Sequence, residues 1–246
     1  MEKGIVRPLL KGDDVHRYDD IKTERVVIFP YERKPDSKVV LMKEDYLSQD
    51  FPKAYSYLKE CEDVLKAREH GRFDIKGEWF QFGRKQGMDA ADNEKLVAPD
   101  ISMGGNFAYD VNGQFYQTTT IYGYLRKEGV KDSYKFLLAL LNSTLCWRFL
   151  VNTGTVLANG YFRYKPDYIK PFPIPAYEAV QNIESRITTL VDNILYSKRL
   201  DPSADTTADE QEIDRLVYHL YGLTYDEVKI VDPETPITEE EYTKEA

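Results

Sequence analysis

Apolar positions change their spacing several times along these 246 residues, and each change predicts a different element. ERVVIFPY (24–31) and KVVLM (38–42) are β-branched runs separated by the turn-forming KPDS, a pattern of two paired strands. FPKAYSYLKECEDVLKARE (51–69) puts Ala54, Leu58, Cys61 and Leu65 at helical spacing, with a proline early in the first turn and Asp50 as candidate cap. A strand-rich centre follows. EWFQF (78–82) and KLVAP (95–99) flank a polar loop, NFAYDVNGQFYQT (106–118) reads as a hairpin about Asn112-Gly113, and TTIYGYLR (119–126) offers another strand.

The later part is helical in period. SYKFLLALLNSTLCWRFLV (133–151) is apolar on most sides, as a helix buried in a core would be. AYEAVQNIESRITTLVDNILYSKRL (176–200) lines up Val180, Ile183, Ile187, Leu190, Val191 and Ile194 on one stripe, which predicts either core contact or a docking face for a partner. LDPSADTTADE (200–210) is poor in apolar residues and reads as a linker, so a boundary is expected at residue 200, with residues 201–246 as an acidic linker and short helical segment. There, EIDRLVYHLYGLTYDEVKIV (212–231) predicts a helix ending near Gly222 and a second one capped at Thr224. Strands and helices do not alternate as βαβ units, which points to an α+β fold.

Composition narrows the class. A 42% hydrophobic and 30% charged chain is an ordinary globular one. No apolar run approaches the roughly 20 residues of a spanning helix, and MEKGIVRP lacks the core of a signal peptide, so no membrane partner and a cytoplasmic location are expected. Cys61 and Cys146 lie far apart without a CxxC spacing and are expected as reduced thiols. The net charge of −9 argues at first against nucleic acid. Position changes that picture: residues 201–246 hold 14 Asp and Glu against Arg215, Lys229 and Lys244, which leaves residues 1–200 with 30 basic and 28 acidic side chains.

The common phosphate-binding, hydrolase and zincin motifs do not occur, and His16, His70 and His219 are scattered. Asp36, Asp74 and Lys76 satisfy the letters of a PD-(D/E)xK nuclease motif, which would hold Mg²⁺ and a water, yet Asp20-Ile21-Lys22 repeats the same letters nearby. Three polar-aromatic stretches carry cations. In FGRKQGMDAADNEKL (82–96), Arg84, Lys85 and Gln86 sit between glycines with side chains suited to base edges, the alternative being a solvated loop. In NGYFRYKPDYIKPFPIP (159–175), strand alternation sends Phe162 and Tyr164 to one side and Tyr161, Arg163 and Lys165 to the other, either as a contact strip or as a water-facing edge. GIVRPLLKGDDVHRY (4–18) offers Arg7, Lys11, His16 and Arg17 among acidic neighbours.

In this order, RPLLKGDDVHRY, FQFGRKQ, EKLVAPDIS, NFAYDVNGQFYQTTTIYGYL, LLALLNSTLCWRFL, GYFRYKPDYIKPFPIP and EIDRLVYHLYGLT resemble the C-terminal region of bifunctional type II restriction–modification proteins and related adenine-N6 DNA methyltransferases. The matching region is the TaqI-like C-terminal specificity domain, and the resemblance spans nearly the whole chain. It implies a target recognition domain over residues 1–200 that holds double-stranded DNA while one adenine is flipped into a catalytic pocket. The catalytic Asn/Asp-Pro-Pro-Tyr/Phe motif does not occur, so no methylation is expected from this chain alone. S-adenosylmethionine and Mg²⁺ would belong to other domains, the methyltransferase domain being the expected protein partner. The resemblance favours Arg84, Lys85, Gln86, Tyr161, Arg163 and Lys165 as DNA contacts and Lys95 as a phosphate contact. EKLVAPDIS and PFPIP are then expected as scaffold.

Overall fold

In a computed structural model of the chain, residues 1–35 and 38–244 are described. The architecture is α+β, with short strands and, among the described residues, ten helices, and the chain divides into two compact units that it enters more than once. The first comprises Met1–Leu9, Thr23–Asn93 and Asn112–Tyr116; the second comprises Leu10–Lys22, Glu94–Val111 and Gln117–Ala246.

In the first unit, β1 (Val6–Leu10) pairs with β2 (Val26–Ile28), and β3 (Tyr31–Arg33) forms an antiparallel ladder with β4 (Val39–Leu41). The run at 24–31 is thus divided between two sheets, Phe29-Pro30 lying at the break, because proline offers no N–H to continue a ladder. Helices α1 (Glu44–Asp50), α2 (Pro52–Glu60) and α3 (Glu62–Gly71) follow. Pro52 opens α2 at its first position, but Phe51 rather than Asp50 stands at the cap position, with no side-chain capping bond, and a break at Cys61 divides the expected single helix. EWFQF forms no strand. Trp79 and Phe80, 2% and 3% exposed, enter the same cluster with Ile5, Leu47 and Leu58. Strand alternation would separate them, so the backbone makes turns instead, with Glu78 N–H donating to the Ile75 carbonyl and Gln81 N–H to the Glu78 carbonyl, each at 3.0 Å.

In the second unit, β5 (Lys95–Pro99) is central between β7 (Ala108–Asp110) and β9 (Ile121–Tyr124). The strand after Asn112-Gly113, β8 (Tyr116–Gln117), joins β1 instead of β7, so this dipeptide closes no hairpin. Gly113 serves another need: at φ +61° it passes so near Asp92 that a Cβ would lie 2.2 Å from the Asp92 carbonyl oxygen.

The apolar run at 133–151 forms two helices, α4 (Tyr134–Asn142) and α5 (Thr144–Thr153), bent by 59°. Ser143 between them ends one and caps the other, its hydroxyl accepting from the Cys146 N–H at 3.1 Å. No single helix among the described residues is long and apolar enough to cross a membrane. Helix α7 (Tyr177–Leu200) packs on α4 and on α8 (Thr207–Leu220), so Val180, Ile187, Val191 and Ile194 are fully buried within this unit and present no docking face. The expected boundary at residue 200 therefore falls inside the second unit, where α8 supplies Ile213, Leu216 and Val217 to the same core. Helices α9 (Tyr225–Val231) and α10 (Glu239–Thr243) start in capping boxes, Thr224 with Glu227 and Thr238 with Glu241. Both cysteines are unbridged; burial pushes the Cys146 thiol up to about 12.

Candidate nucleic-acid interface

In the first unit a candidate surface bearing Arg84 and Lys85 lies on the connection from α3 to β5, and both ends of that surface are fixed. At one end the Phe82 ring lies 5.1 Å from Tyr31, and its N–H donates to Tyr31 Oη at 2.6 Å. At the other, Met88 enters the cluster of Phe29, Tyr31 and Tyr116. Arg33 then clamps the following turn, donating through Nη1 to the Asp89 carbonyl at 2.8 Å and through Nη2 to Asp92 Oδ2 at 2.7 Å, while Tyr116 Oη donates to Asp92 Oδ1 at 2.6 Å. Burial works to raise the Asp92 pKa, but the Tyr116 hydroxyl and the Arg33 guanidinium together hold it below its ordinary value. Between these anchors Arg84, Lys85 and Gln86 are all exposed, and Lys85 Nζ turns back to Gln81 Oε1 at 2.7 Å.

The second unit carries the other surface. Asn159 and Gly160, both left-handed at φ 61° and 77°, reverse the chain, and the Leu157 N–H donates to the Tyr161 carbonyl at 2.7 Å. This is the turn chemistry expected at Asn112-Gly113, found at the second Asn-Gly of the sequence. Strand β10 (Phe162–Arg163) then pairs with β6 (Ile101–Ser102), Arg163 opposite Ile101. The expected alternation is present. Phe162 and Tyr164 are buried against Trp147, which meets Phe162 edge-on and lies parallel to Tyr164. Tyr161, Arg163 and Lys165 take the other side, with Tyr161 41% exposed and the Arg163 side chain likewise 41%.

This strip has acidic neighbours. Arg163 Nη1 donates to Asp100 Oδ2 at 3.1 Å, and Lys165 Nζ lies 3.2 Å from Asp167 Oδ2. Asp100 is fixed through its backbone on both sides, its N–H donating to the Thr120 carbonyl at 2.8 Å and its carbonyl accepting from the Tyr164 N–H at 2.7 Å. Burial and then the Asp100 carboxylate push the Tyr122 phenol above its ordinary range, opposed by Arg163 and Lys165, so these four side chains form one electrostatic group. A cleft of about 470 Å³ adjoins them, lined by Lys11, His16, Asp100, Ser102, Asn106 and Tyr161 among others.

Other candidates separate from these surfaces. Lys95, expected at a phosphate, is a core residue: its side chain is 2% exposed, and its Nζ lies 2.6 Å from the equally buried Asp110, its partner across the β5–β7 ladder. Arg17 also turns inward, pairing with Glu210 and donating to the Asn142 carbonyl, while Arg7 lies over the Phe29 ring. Asp74 and Lys76 are exposed, Asp74 lies 3.3 Å from Lys66 Nζ, and Asp36 falls outside the described residues. Among the described residues no three His, Cys, Asp or Glu side chains are gathered to hold a metal ion. The residues that sequence reasoning passed over are Asp100, Tyr122 and the Arg33–Asp92 clamp. No local signal marks them, since Asp100 and Arg163 are 63 positions apart and Arg33 and Asp92 are 59.

Comparison with known proteins bears on these surfaces. Residues 7–174 match the TaqI-like C-terminal specificity domain. The chain is 23% identical over 226 residues to the type II restriction enzyme and methyltransferase RM.Eco57I of Escherichia coli, a match that covers 87% of this chain and 22% of that protein. It is 25% identical over 181 residues to the type II methyltransferase M.XhoI of Xanthomonas vasicola, covering 74% of this chain and 30% of that protein. It is also similar to the type II methyltransferase M.BanIII of Aneurinibacillus aneurinilyticus, 23% identical over 207 residues, 79% of this chain and 34% of the relative. The chain thus spans about a third or less of the length of these relatives.

Proposed function

Because the chain belongs to the family of TaqI-like C-terminal specificity domains, we propose that it recognises a DNA sequence on behalf of a restriction–modification protein. The observation that carries this reading is the extent of the family match, which takes in both the Arg84–Lys85–Gln86 loop and the strip of Tyr161, Arg163 and Lys165. Arg84 and Gln86 have the donors and acceptors to address base edges in the major groove, and Lys165 has the point charge to hold a phosphate. Lys95 is left out of the contact set because its ammonium is enclosed beside Asp110.

In the longer protein, this domain holds duplex DNA in register while a methyltransferase domain transfers a methyl group to adenine N6, with cleavage where the protein also carries a nuclease. S-adenosylmethionine and Mg²⁺ serve those domains. The division of labour follows from chemistry: a base must leave the stack to be methylated, and the contacts that choose the site must grip the duplex while it does.

The test is fluorescence anisotropy of the chain with a randomised duplex pool over a salt series, followed by sequencing of the bound fraction. Salt-dependent binding with one enriched word is the expected result. Salt-dependent binding without any enriched word would make the chain a general DNA clamp, and no binding at the lowest salt would overturn the reading.

A further inference from the structure

We propose that Asp100 is a positioning residue that aims the Arg163 guanidinium at a guanine of the recognised word. The inference rests on the DNA-recognition reading and extends it to a named base and to an acidic residue that would otherwise count against binding.

Arginine reads guanine by giving two parallel hydrogen bonds to O6 and N7, which requires the plane of its fork to be set before contact. A solvent-facing arginine has many rotamers and loses that freedom on binding. Arg163 is built to lose less. Its backbone is fixed by pairing with β6, and its Nη1 is tied to Asp100 at 3.1 Å. Asp100 is itself a rigid support: it stands between β5 and β6 with both backbone polar groups engaged, and its side chain is 15% exposed. The Arg163 side chain keeps 41% of its surface exposed while its Nη1 is held by the carboxylate, so the ion pair leaves the side chain open to solvent. An ion pair serving stability alone would gain little at this exposure, since partly solvated pairs contribute about 1 kcal/mol or less.

The position of this pair also fits readout. Tyr161 and Lys165 flank Arg163 in sequence on the same side of the extended segment, the first with an aromatic face and the second with a charge for the backbone. The Asp100 carboxylate adds a second effect: it places a backbone-anchored negative charge beside the guanidinium, which makes a phosphate a poorer ligand for Arg163 and keeps the fork for an uncharged base edge.

Asp100→Asn keeps the size of the side chain and removes its charge; Arg163→Lys keeps the cation and removes the fork. For each variant the affinity ratio is measured between the enriched duplex and duplexes changed at single positions, so that uniform changes in affinity cancel. Both variants should lose about tenfold of the discrimination for guanine, at the same position, with Lys165→Ala keeping that ratio. Asp100→Glu, which retains the charge but shifts it along the side chain, should recover part of the preference and serves as the second variant if Asp100→Asn unfolds. An unchanged word in both substitutions, effects at different positions, or an affected base other than guanine would each overturn the assignment while leaving DNA recognition intact. A wild-type chain that binds no DNA would overturn both.

Discussion

The two cationic surfaces differ in how their side chains are held. The Arg84–Gln86 loop hangs between two anchors, the Phe82–Tyr31 contact and the Arg33–Asp92 clamp, with three exposed residues in between. The strip in the second unit has an anchor at every other residue, because Phe162 and Tyr164 are set in the core and Tyr161, Arg163 and Lys165 emerge opposite them. On the proposed reading, the loop would adapt to a duplex at an entropic cost, whereas the strip would meet it with directions already set. Order at the strip is therefore bound to the stability of the second unit, and order at the loop is local.

Breaking the anchors should expose that difference most strongly. Tyr164→Ala removes a fully enclosed ring beside Trp147 and should cost about 3–5 kcal/mol. The two tryptophans, Trp79 and Trp147, lie one in each unit, so urea unfolding followed by Trp147 fluorescence in a Trp79→Phe background reports the second unit alone. An unchanged midpoint would mean that the strip is not seated in the core. Lys95→Met should follow, at about 3 kcal/mol by the same measurement, because it takes the cation away from a buried carboxylate. A phosphate-contacting Lys95 would instead weaken DNA binding at unchanged stability.

What the sequence discloses follows the same division between local and distant causes. Helix α7 begins and ends within a residue of where its apolar stripe predicts, β5 coincides with KLVAP, and the burial of Phe162 and Tyr164 follows from alternation alone. These features depend on spacing along a single segment. Two identical Asn-Gly dipeptides behave differently because partner choice is not local: the pair at 159–160 turns a ribbon, whereas at 112–113 the strands on either side join different sheets. The apolar run at 133–151 hid a break for a related reason, since Ser143 reads as one polar residue in a helix until its capping bond to Cys146 is seen. Charge pairs were the least legible part. Asp100 and Lys95 share EKLVAPDIS, a segment read as scaffold from which Lys95 alone was singled out as a phosphate contact, and in each case the deciding neighbour comes from another strand.

Smaller substitutions sharpen the contrast without disturbing the fold. Arg84→Ala should leave stability within about 0.5 kcal/mol, since its side chain is exposed, and lower discrimination at the base it contacts by about 1–3 kcal/mol in competition binding. Equal loss for every sequence would reduce Arg84 to a phosphate contact. Lys165→Ala should weaken all duplexes alike and reduce the slope of log affinity against log salt by about one. A base-selective effect there would move the phosphate role away from the strip.

The smallest expected effect concerns acid, and it belongs to the loop. The Asp92 carboxyl sits below its ordinary pKa despite partial burial, because Tyr116 and Arg33 favour its charged form. A lowered folded-state pKa contributes stability that is present above the unfolded value and disappears as pH falls through the folded one. With 44% of the Asp92 side chain exposed, solvent limits this contribution to less than about 1 kcal/mol. The stability difference between wild type and Asp92→Asn, followed through Trp79 fluorescence in a Trp147→Phe background, should therefore be positive near neutrality and shrink towards zero as pH drops below the carboxylate range. Base discrimination that depends on Arg84 should weaken in Asp92→Asn near neutral pH, where duplex DNA is intact, because the released turn no longer fixes the far end of the loop. Discrimination that depends on Arg84 and holds steady in Asp92→Asn would show that the Phe82 anchor alone is enough to present Arg84.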